Sequence, residues 1–282
     1  MSRPLAEKLV LLDSPLNEAY RRAITCAEWL KRDGDKVETM YCNARWCLTC
    51  NRIRTGKLMN AYTAPLAGLT DLYFVTLTAP NVEADQLRDE ITRLQKVSRQ
   101  IQDVMRKQGR KLEGIRKLEA TYNVQANTYH PHFHYIVSGK EQAEQLRAEW
   151  LVRHPQASHK AQDIKPADEG STKELFKYFT KLNAHQTPAT ALDVIFKAME
   201  GKRVFQPLGG LRRYKVSEEV EEIQVHTYSE LAPDENGSYE WQPAAADWVN
   251  IQTGECLTKY NPSPLARRYV RRIENLNLAP PS

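Results

Sequence analysis

Long apolar runs are missing from the start of this 282-residue chain: the longest there, Leu9 to Leu12, ends after four residues at Asp13-Ser14-Pro15. A secretory leader needs roughly 7–15 apolar residues in a row and a membrane helix about 20. Neither is expected, so the sequence points to a cytoplasmic protein without a membrane partner. Internal repeats and low-complexity tracts are also missing, which argues against solenoid and collagen-like architectures. Apolar residues themselves are plentiful: 41% hydrophobic and 27% charged is the composition of a globular chain that can bury a core. Its length suits one or two domains.

Lysine and arginine (40) outnumber aspartate and glutamate (35), leaving +5. The excess is uneven. Ten basic residues stand between Arg88 and Lys117 against four acidic ones, and Arg267, Arg268, Arg271 and Arg272 cluster near the end. The stretch Glu218–Glu240 holds eight acidic residues and no lysine or arginine. Such asymmetry suits a polyanion, nucleic acid first; a solvated helix face is the plain alternative. Cysteine is scarce, five in all, yet four of them fall between Cys26 and Cys50. In a reducing compartment, clustered thiols point to metal rather than to disulfides.

Periodicity divides the chain. Leu72–Thr78 alternates, is rich in β-formers and stops at Ala79-Pro80, which predicts a strand. Leu87, Ile91, Leu94, Val97, Ile101 and Val104 recur at steps of three and four, predicting an amphipathic helix over 87–107. Gly114–Tyr122 and His132–Val137 predict an antiparallel hairpin joined by a polar connection. Helices are predicted over 141–151 and 171–182. Residues 1–62 form a cysteine-rich region, 63–200 the central domain, and 201–282 an accessory region of unassigned role. The fold class expected is α+β, a central antiparallel sheet with flanking helices behind a zinc knuckle.

The chemistry-bearing pattern starts at His132-Phe133-His134. Alternation on a strand puts both imidazoles on one face, where they can converge on one metal ion or simply be two ordinary histidines. A hairpin would bring Glu119 beside them. Two histidines and a carboxylate leave coordination positions open to substrate oxygens, and a mixed N/O site accepts Mn²⁺ or Mg²⁺. On the helix beginning near Ser171, Glu174, Lys177, Tyr178 and Lys181 lie off the apolar stripe. A tyrosine there is a candidate nucleophile if its electrophile is polarised, and lysines beside it would hold a phosphate and steady the phenolate. The plain alternatives are a surface hydrogen bond for Tyr178 and a capping box, Ser171-Thr-Lys-Glu174, for Glu174.

Together these segments resemble the rolling-circle replication initiator (Rep) proteins of small bacterial plasmids, in the HUH endonuclease superfamily. Phe74-Val-Thr-Leu-Thr78 resembles their first motif and Leu118-Glu-Ala-Thr-Tyr-Asn123 with His130-Pro-His-Phe-His-Tyr135 the second. Glu174-Leu-Phe-Lys-Tyr178-Phe-Thr-Lys181 resembles the third. The resemblance spans about residues 26–182 and implies an enzyme that nicks one strand of plasmid origin DNA, in single-stranded or hairpin form. Tyr178 would form a 5′-phosphotyrosine, His132, His134 and Glu119 would hold the catalytic ion, and Glu174 would activate water for a later scission. Host helicase and polymerase are implied partners. His130 is read as supporting structure rather than as a ligand. A relaxase or single-tyrosine transposase would share this chemistry, and a zinc-containing DNA-binding regulator would lack it.

Cys42-x4-Cys47-x2-Cys50, with Cys26 upstream, can supply four thiolates to a structural Zn²⁺. The Rep resemblance includes such a cysteine pattern, which favours Cys26 over Cys256 as the fourth ligand. Arg45, Arg52 and Arg54 near this knuckle, with Lys177, are candidate contacts to nucleic acid; Tyr41, Trp46, Tyr62 and Tyr73 are candidate aromatic contacts.

Overall fold

Alternation along three strands builds the central sheet. The structure, a computed structural model, describes residues 2–33, 36–176, 187–214, 238–242 and 247–257. The chain divides into two compact units, residues 1–21 with 44–221 and residues 22–43 with 222–282.

In the first unit, α1 (Ser2–Leu9), α2 (Asn17–Ile24, whose last turn enters the second unit) and later α3 (Leu48–Ala67) precede β3 (Leu72–Thr78). Next come α4 (Leu87–Lys107), β4 (Gly114–Asn123), β5 (Thr128–Ser138), α5 (Lys140–Arg153), β6 (Asp163–Pro166), α6 (Glu169–Phe176 in its described part), α7 (Ala189–Met199) and β7 (Phe205–Leu208). The five strands form one antiparallel sheet in the order β6-β3-β5-β4-β7. The second unit holds β1 (Trp29–Asp33), β2 (Lys36–Thr39), β8 (Ser238–Gln242) and β9 (Asp247–Asn250) in an antiparallel sheet of order β2-β1-β8-β9. The molecule is thus α+β, with an antiparallel sheet flanked by helices, as its sequence predicts.

Register sorts the side chains of the larger sheet into two faces. On one face three rows run across β3, β5 and β4: Phe74–Ile136–Ile115, then Thr76–His134–Lys117, then Thr78–His132–Glu119. The apolar row is covered by α3 and α6, forming a core of Tyr62, Leu66, Phe74, Ile115, Ile136, Leu175 and Phe176. The two polar rows continue from that core. On the other face Val75, Leu77, Phe133, Tyr135 and Leu118 are buried beside Leu94 and Ile101 of α4 and Trp150 of α5. Burying each such side chain stabilises by roughly 1.5–3 kcal/mol. Arg116 is buried here too: its guanidinium donates to Ser98 Oγ (2.6 Å) and Gln206 Oε1 (2.7 Å) and lies 4.6 Å over the Phe133 ring.

Two local features differ from the sequence reading. β5 begins at Thr128, so Pro131 lies inside it, opposite Ala120. Tyr129 exchanges backbone bonds with Val82, and Pro131, two residues on, points its nitrogen the same way. β3 has already ended opposite His132, so no ladder bond is lost there. Helix α6 starts at Glu169 rather than Ser171, because Asp168 caps it: Asp168 Oδ1 accepts from the Ser171 backbone N–H (2.6 Å) and hydroxyl (2.8 Å). Ser171 therefore serves the cap from inside the helix.

Helices α1 and α2 join the first unit through a buried carboxylate. Ser14 Oγ (2.5 Å) and Tyr20 Oη (2.6 Å) donate to Asp193 Oδ1 on α7, whose Oδ2 pairs with Lys197 Nζ at 2.8 Å. Burial pushes the Asp193 carboxyl up, but these donors outweigh it and hold it below the usual range.

Candidate metal centre

A β-hairpin fixes the site because directly opposed residues of antiparallel strands share a face. Glu119 stands opposite His132 and Lys117 opposite His134. Glu119 Oε2 lies 3.4 Å from His132 Nε2 and 3.6 Å from His134 Nε2. Two ligand atoms each about 2.1 Å from one ion stand about 3.0–3.5 Å apart, so these carboxylate–imidazole separations are close to what a shared ion requires. The three ligand atoms lie within 4.8 Å of one another.

The surrounding bonds aim the imidazoles. His132 Nδ1 bonds the His130 backbone carbonyl (3.1 Å), and His134 Nδ1 bonds Thr76 Oγ1 (3.1 Å). With both Nδ1 atoms engaged, each ring turns Nε2 toward Glu119, as metal-bound histidines are commonly oriented. Phe74 stacks on His134 at 5.3 Å between ring centroids. The other carboxylate oxygen, Oε1, receives Lys117 Nζ at 2.5 Å. Burial alone would push the Glu119 carboxyl up; the hydrogen bonds of His132 and His134 and the charge of Lys117 prevail and hold it far below the ordinary carboxylate range. The carboxylate thus stays ionised, one oxygen neutralised by lysine and the other facing two nitrogens. This donor set fits a divalent ion of the Mn²⁺ or Mg²⁺ kind and leaves coordination sites for other oxygens.

His130 shares the strand face of His132 and contributes its carbonyl; burial, then the neighbouring His132, pushes its imidazole down to about 4. Thr76, Lys117 and the His130 carbonyl were missed by sequence reasoning. A signal existed for Thr76, a polar residue between Val75 and Leu77 on a buried strand.

The third motif is described only as far as Phe176. Lys177, Tyr178 and Lys181 lie outside the described residues, as does the side chain of Glu174, which sits on α6. Leu175 and Phe176, immediately ahead of Tyr178, pack on Phe74, Ile115 and Ile136, one row from His134 and Lys117.

The thiols sit in pairs. Cys47 and Cys50 are fully buried at the start of α3, where Cys47 is the residue before the first turn. In the second unit the Cys42 backbone N–H points at Cys26 Sγ, 3.4 Å away. Cys26, Cys42, Cys47 and Cys50 make up a candidate metal-ligand group, which does not include Cys256.

Of the candidate nucleic-acid contacts, Arg45 and Arg54 line one cavity with Lys117, while Arg52 lies exposed on α3 outside it. Trp46 and Tyr62 are core residues: Trp46 stacks on Phe196 (5.3 Å, 16°) and Tyr62 meets Phe205 (5.3 Å). Along α4, Arg93 pairs with Glu90 and Arg106 with Asp103, so part of that basic stretch is a solvated helix face.

Residues 35–151 match the protein family described as "Replication protein". A "Protein rep" from Bacillus sp is 28% identical over 169 residues, 52% of this chain and 54% of that protein. One from Staphylococcus aureus is 41% identical over 70 residues, 24% of this chain and 30% of its own length. Another, from Bacillus amyloliquefaciens, is 28% identical over 153 residues, 48% and 45% of the two chains. The chain spans about half the length of the first of these relatives and less of the other two. No solved structure matches it.

Proposed function

We propose that this chain, whose residues 35–151 match the replication protein family, initiates plasmid rolling-circle replication by nicking and rejoining one strand of origin DNA. The observation that carries this reading is the ionised Glu119 facing two aimed imidazoles on a rigid hairpin. A divalent ion bound there would polarise a scissile phosphate, the one thing a weak phenol nucleophile requires.

The protein's own part follows from the third motif. Tyr178 Oη attacks phosphorus in line; the bond to the 3′ oxygen breaks, leaving a 5′-phosphotyrosine and a 3′-hydroxyl that primes synthesis. Lys177 and Lys181 neutralise charge at the phosphate and phenolate. Glu174, four residues before Tyr178 in the sequence, accepts a proton from water in the scission that ends the cycle. Cys26, Cys42, Cys47 and Cys50 hold a structural Zn²⁺ as thiolates. Host helicase and polymerase act on the exposed strand and its primer.

Incubating the protein with single-stranded origin DNA and Mn²⁺ tests the reading. A covalent protein–DNA adduct is expected, lost in Tyr178→Phe with DNA binding retained. Absence of any adduct with the unaltered chain, under conditions where the DNA binds, rejects nicking and leaves a DNA-binding regulator.

A further inference from the structure

We infer that the flank of α4 facing the α7–β7 connection grips the phosphate backbone of double-stranded DNA beside the nicked strand, without reading its bases. This rests on the reading above that origin DNA is the substrate, and it adds where the paired part of that DNA sits.

Helical spacing lines up Arg88, Thr92, Gln95 and Arg99 on one flank of α4. Residues 197–203 run along that flank and are tied to it at three points. Arg88 Nη1 donates to the Lys197 carbonyl (2.7 Å), Lys202 Nζ to Thr92 Oγ1 (2.6 Å) and Gln95 Nε2 to the Arg203 carbonyl (3.0 Å). The result is a ridge carrying Arg88, Arg99 and Arg203, all exposed, and Lys202, half-buried. Its ties end on carbonyl and hydroxyl oxygens, and none of the four cations forms an ion pair among the described residues. The opposite flank differs, since Glu90 there takes Arg93. Apart from Glu90, the acids of the two segments are Asp89 and Glu200, so the ridge keeps an excess of positive charge. The cations crowd one another. Burial, then the charge of Arg88, pulls the Lys202 ammonium below its usual value against the opposing pull of Asp89. Burial lowers the Arg116 guanidinium beneath the ridge, and the charges of Arg99 and Arg203 lower it further. A polyanion laid along the ridge would relieve that repulsion.

Position and composition select the duplex. α4 covers the sheet face away from Glu119, His132 and His134, so a strand at the metal centre lies on the other side of the sheet. None of the exposed large apolar side chains among the described residues belongs to the ridge, which therefore offers unpaired bases nothing to stack on. From Arg88 to Arg99 the helix rises about 16 Å, a length over which duplex DNA carries roughly ten phosphate charges.

The test uses the full chain without added divalent ion, and fluorescence anisotropy of two fluorescein-labelled probes: a duplex of about 20 base pairs of arbitrary sequence, and a dT strand of the same length. Salt is varied from about 50 to 200 mM, because each phosphate contact adds about 0.9 to the slope of log affinity against log salt. Arg99→Gln should flatten the duplex slope by about 0.9 and Arg99→Gln with Lys202→Gln by about 1.8. Lys140→Gln with Lys160→Gln, the same charge change outside the ridge, should leave the slope within error. Should the ridge double variant fail to fold, Arg99→Gln decides alone, since Arg99 is exposed and makes no bond among the described residues. An unchanged slope in Arg99→Gln overturns the proposal, as does equal flattening by the control pair. Equal flattening with the dT strand also overturns it, by making the ridge a single-strand track. Adduct formation with Mn²⁺ by the unaltered protein is scored separately, so the nicking reading can fail while the ridge binds duplex, or hold while the ridge does not.

Discussion

Glu119 has two oxygens and three claimants. Lys117 takes one, and the two Nε2 atoms share the other. Glu119→Ala takes the carboxylate away from a buried ammonium, and breaking a buried pair in this way typically costs about 3–5 kcal/mol. Urea unfolding should register a loss of that order; a loss within experimental error would mean that Lys117 finds another partner. Thr76→Val removes the bond to His134 Nδ1 while keeping shape. Orienting partners of this kind contribute roughly 10- to 100-fold to metal affinity, so a Mn²⁺ titration should weaken by that factor with little change in melting temperature. Asp193 offers a pH test. Its carboxyl is depressed in the folded chain, so its contribution is complete above the unfolded value near 4 and fades as pH falls through the folded one. The stability gap between the unaltered protein and Asp193→Asn should be full at pH 6 and shrink below pH 4, measured by denaturant melts; a constant gap would mean the charge is not what matters. At this scale the sequence exposed the histidines and Glu119, since alternation and a hairpin suffice to align them. Thr76 stayed hidden because the register between β3 and β5 depends on 60 or so intervening residues (58 separate Thr76 from His134) folding as they do.

Elements were more legible than their ends. β3 over 72–78 and α4 over 87–107 have the bounds that alternation and helical spacing predict. The start of α6 shifted because Asp168, three residues ahead of Ser171, caps the helix. Gly114 opens β4 for a reason no propensity scale gives. Its φ is +146°, and a Cβ there would stand 1.9 Å from the Ile136 carbonyl oxygen on the neighbouring strand. Gly114→Ala forces β4 and β5 apart at the end of the hairpin opposite the metal site. Overpacking of this sort costs typically about 1–3 kcal/mol, and a lowered thermal midpoint with weaker Mn²⁺ binding is the expected result. An unchanged midpoint would show that the strand pair relaxes freely there.

For the whole molecule, which segments make up a unit is what sequence reading could not reach, since the contacts inside the first unit link residues far apart. Ser14 and Asp193 are separated by 179 positions. Residues 1–21 belong with residues 44–221. Deleting them would uncover Asp193 and remove Tyr20 from the edge of Trp46, 5.2 Å away. The truncated chain should melt earlier or aggregate, as read by scanning calorimetry; an unaltered melt would make the first helices dispensable. Zinc should be found at one ion per chain by elemental analysis, with Cys47→Ser lowering it and Cys256→Ser leaving it intact.

The wide spacing of partners also sets a schedule for synthesis. β1 pairs with β2 on one side and with β8 on the other, yet β8 leaves the ribosome about 200 residues later, roughly 10–40 s at ordinary elongation rates. A lone two-stranded hairpin is marginal in water. Through that interval the newborn chain carries an open strand edge, and the smaller sheet can close only once β8 has emerged.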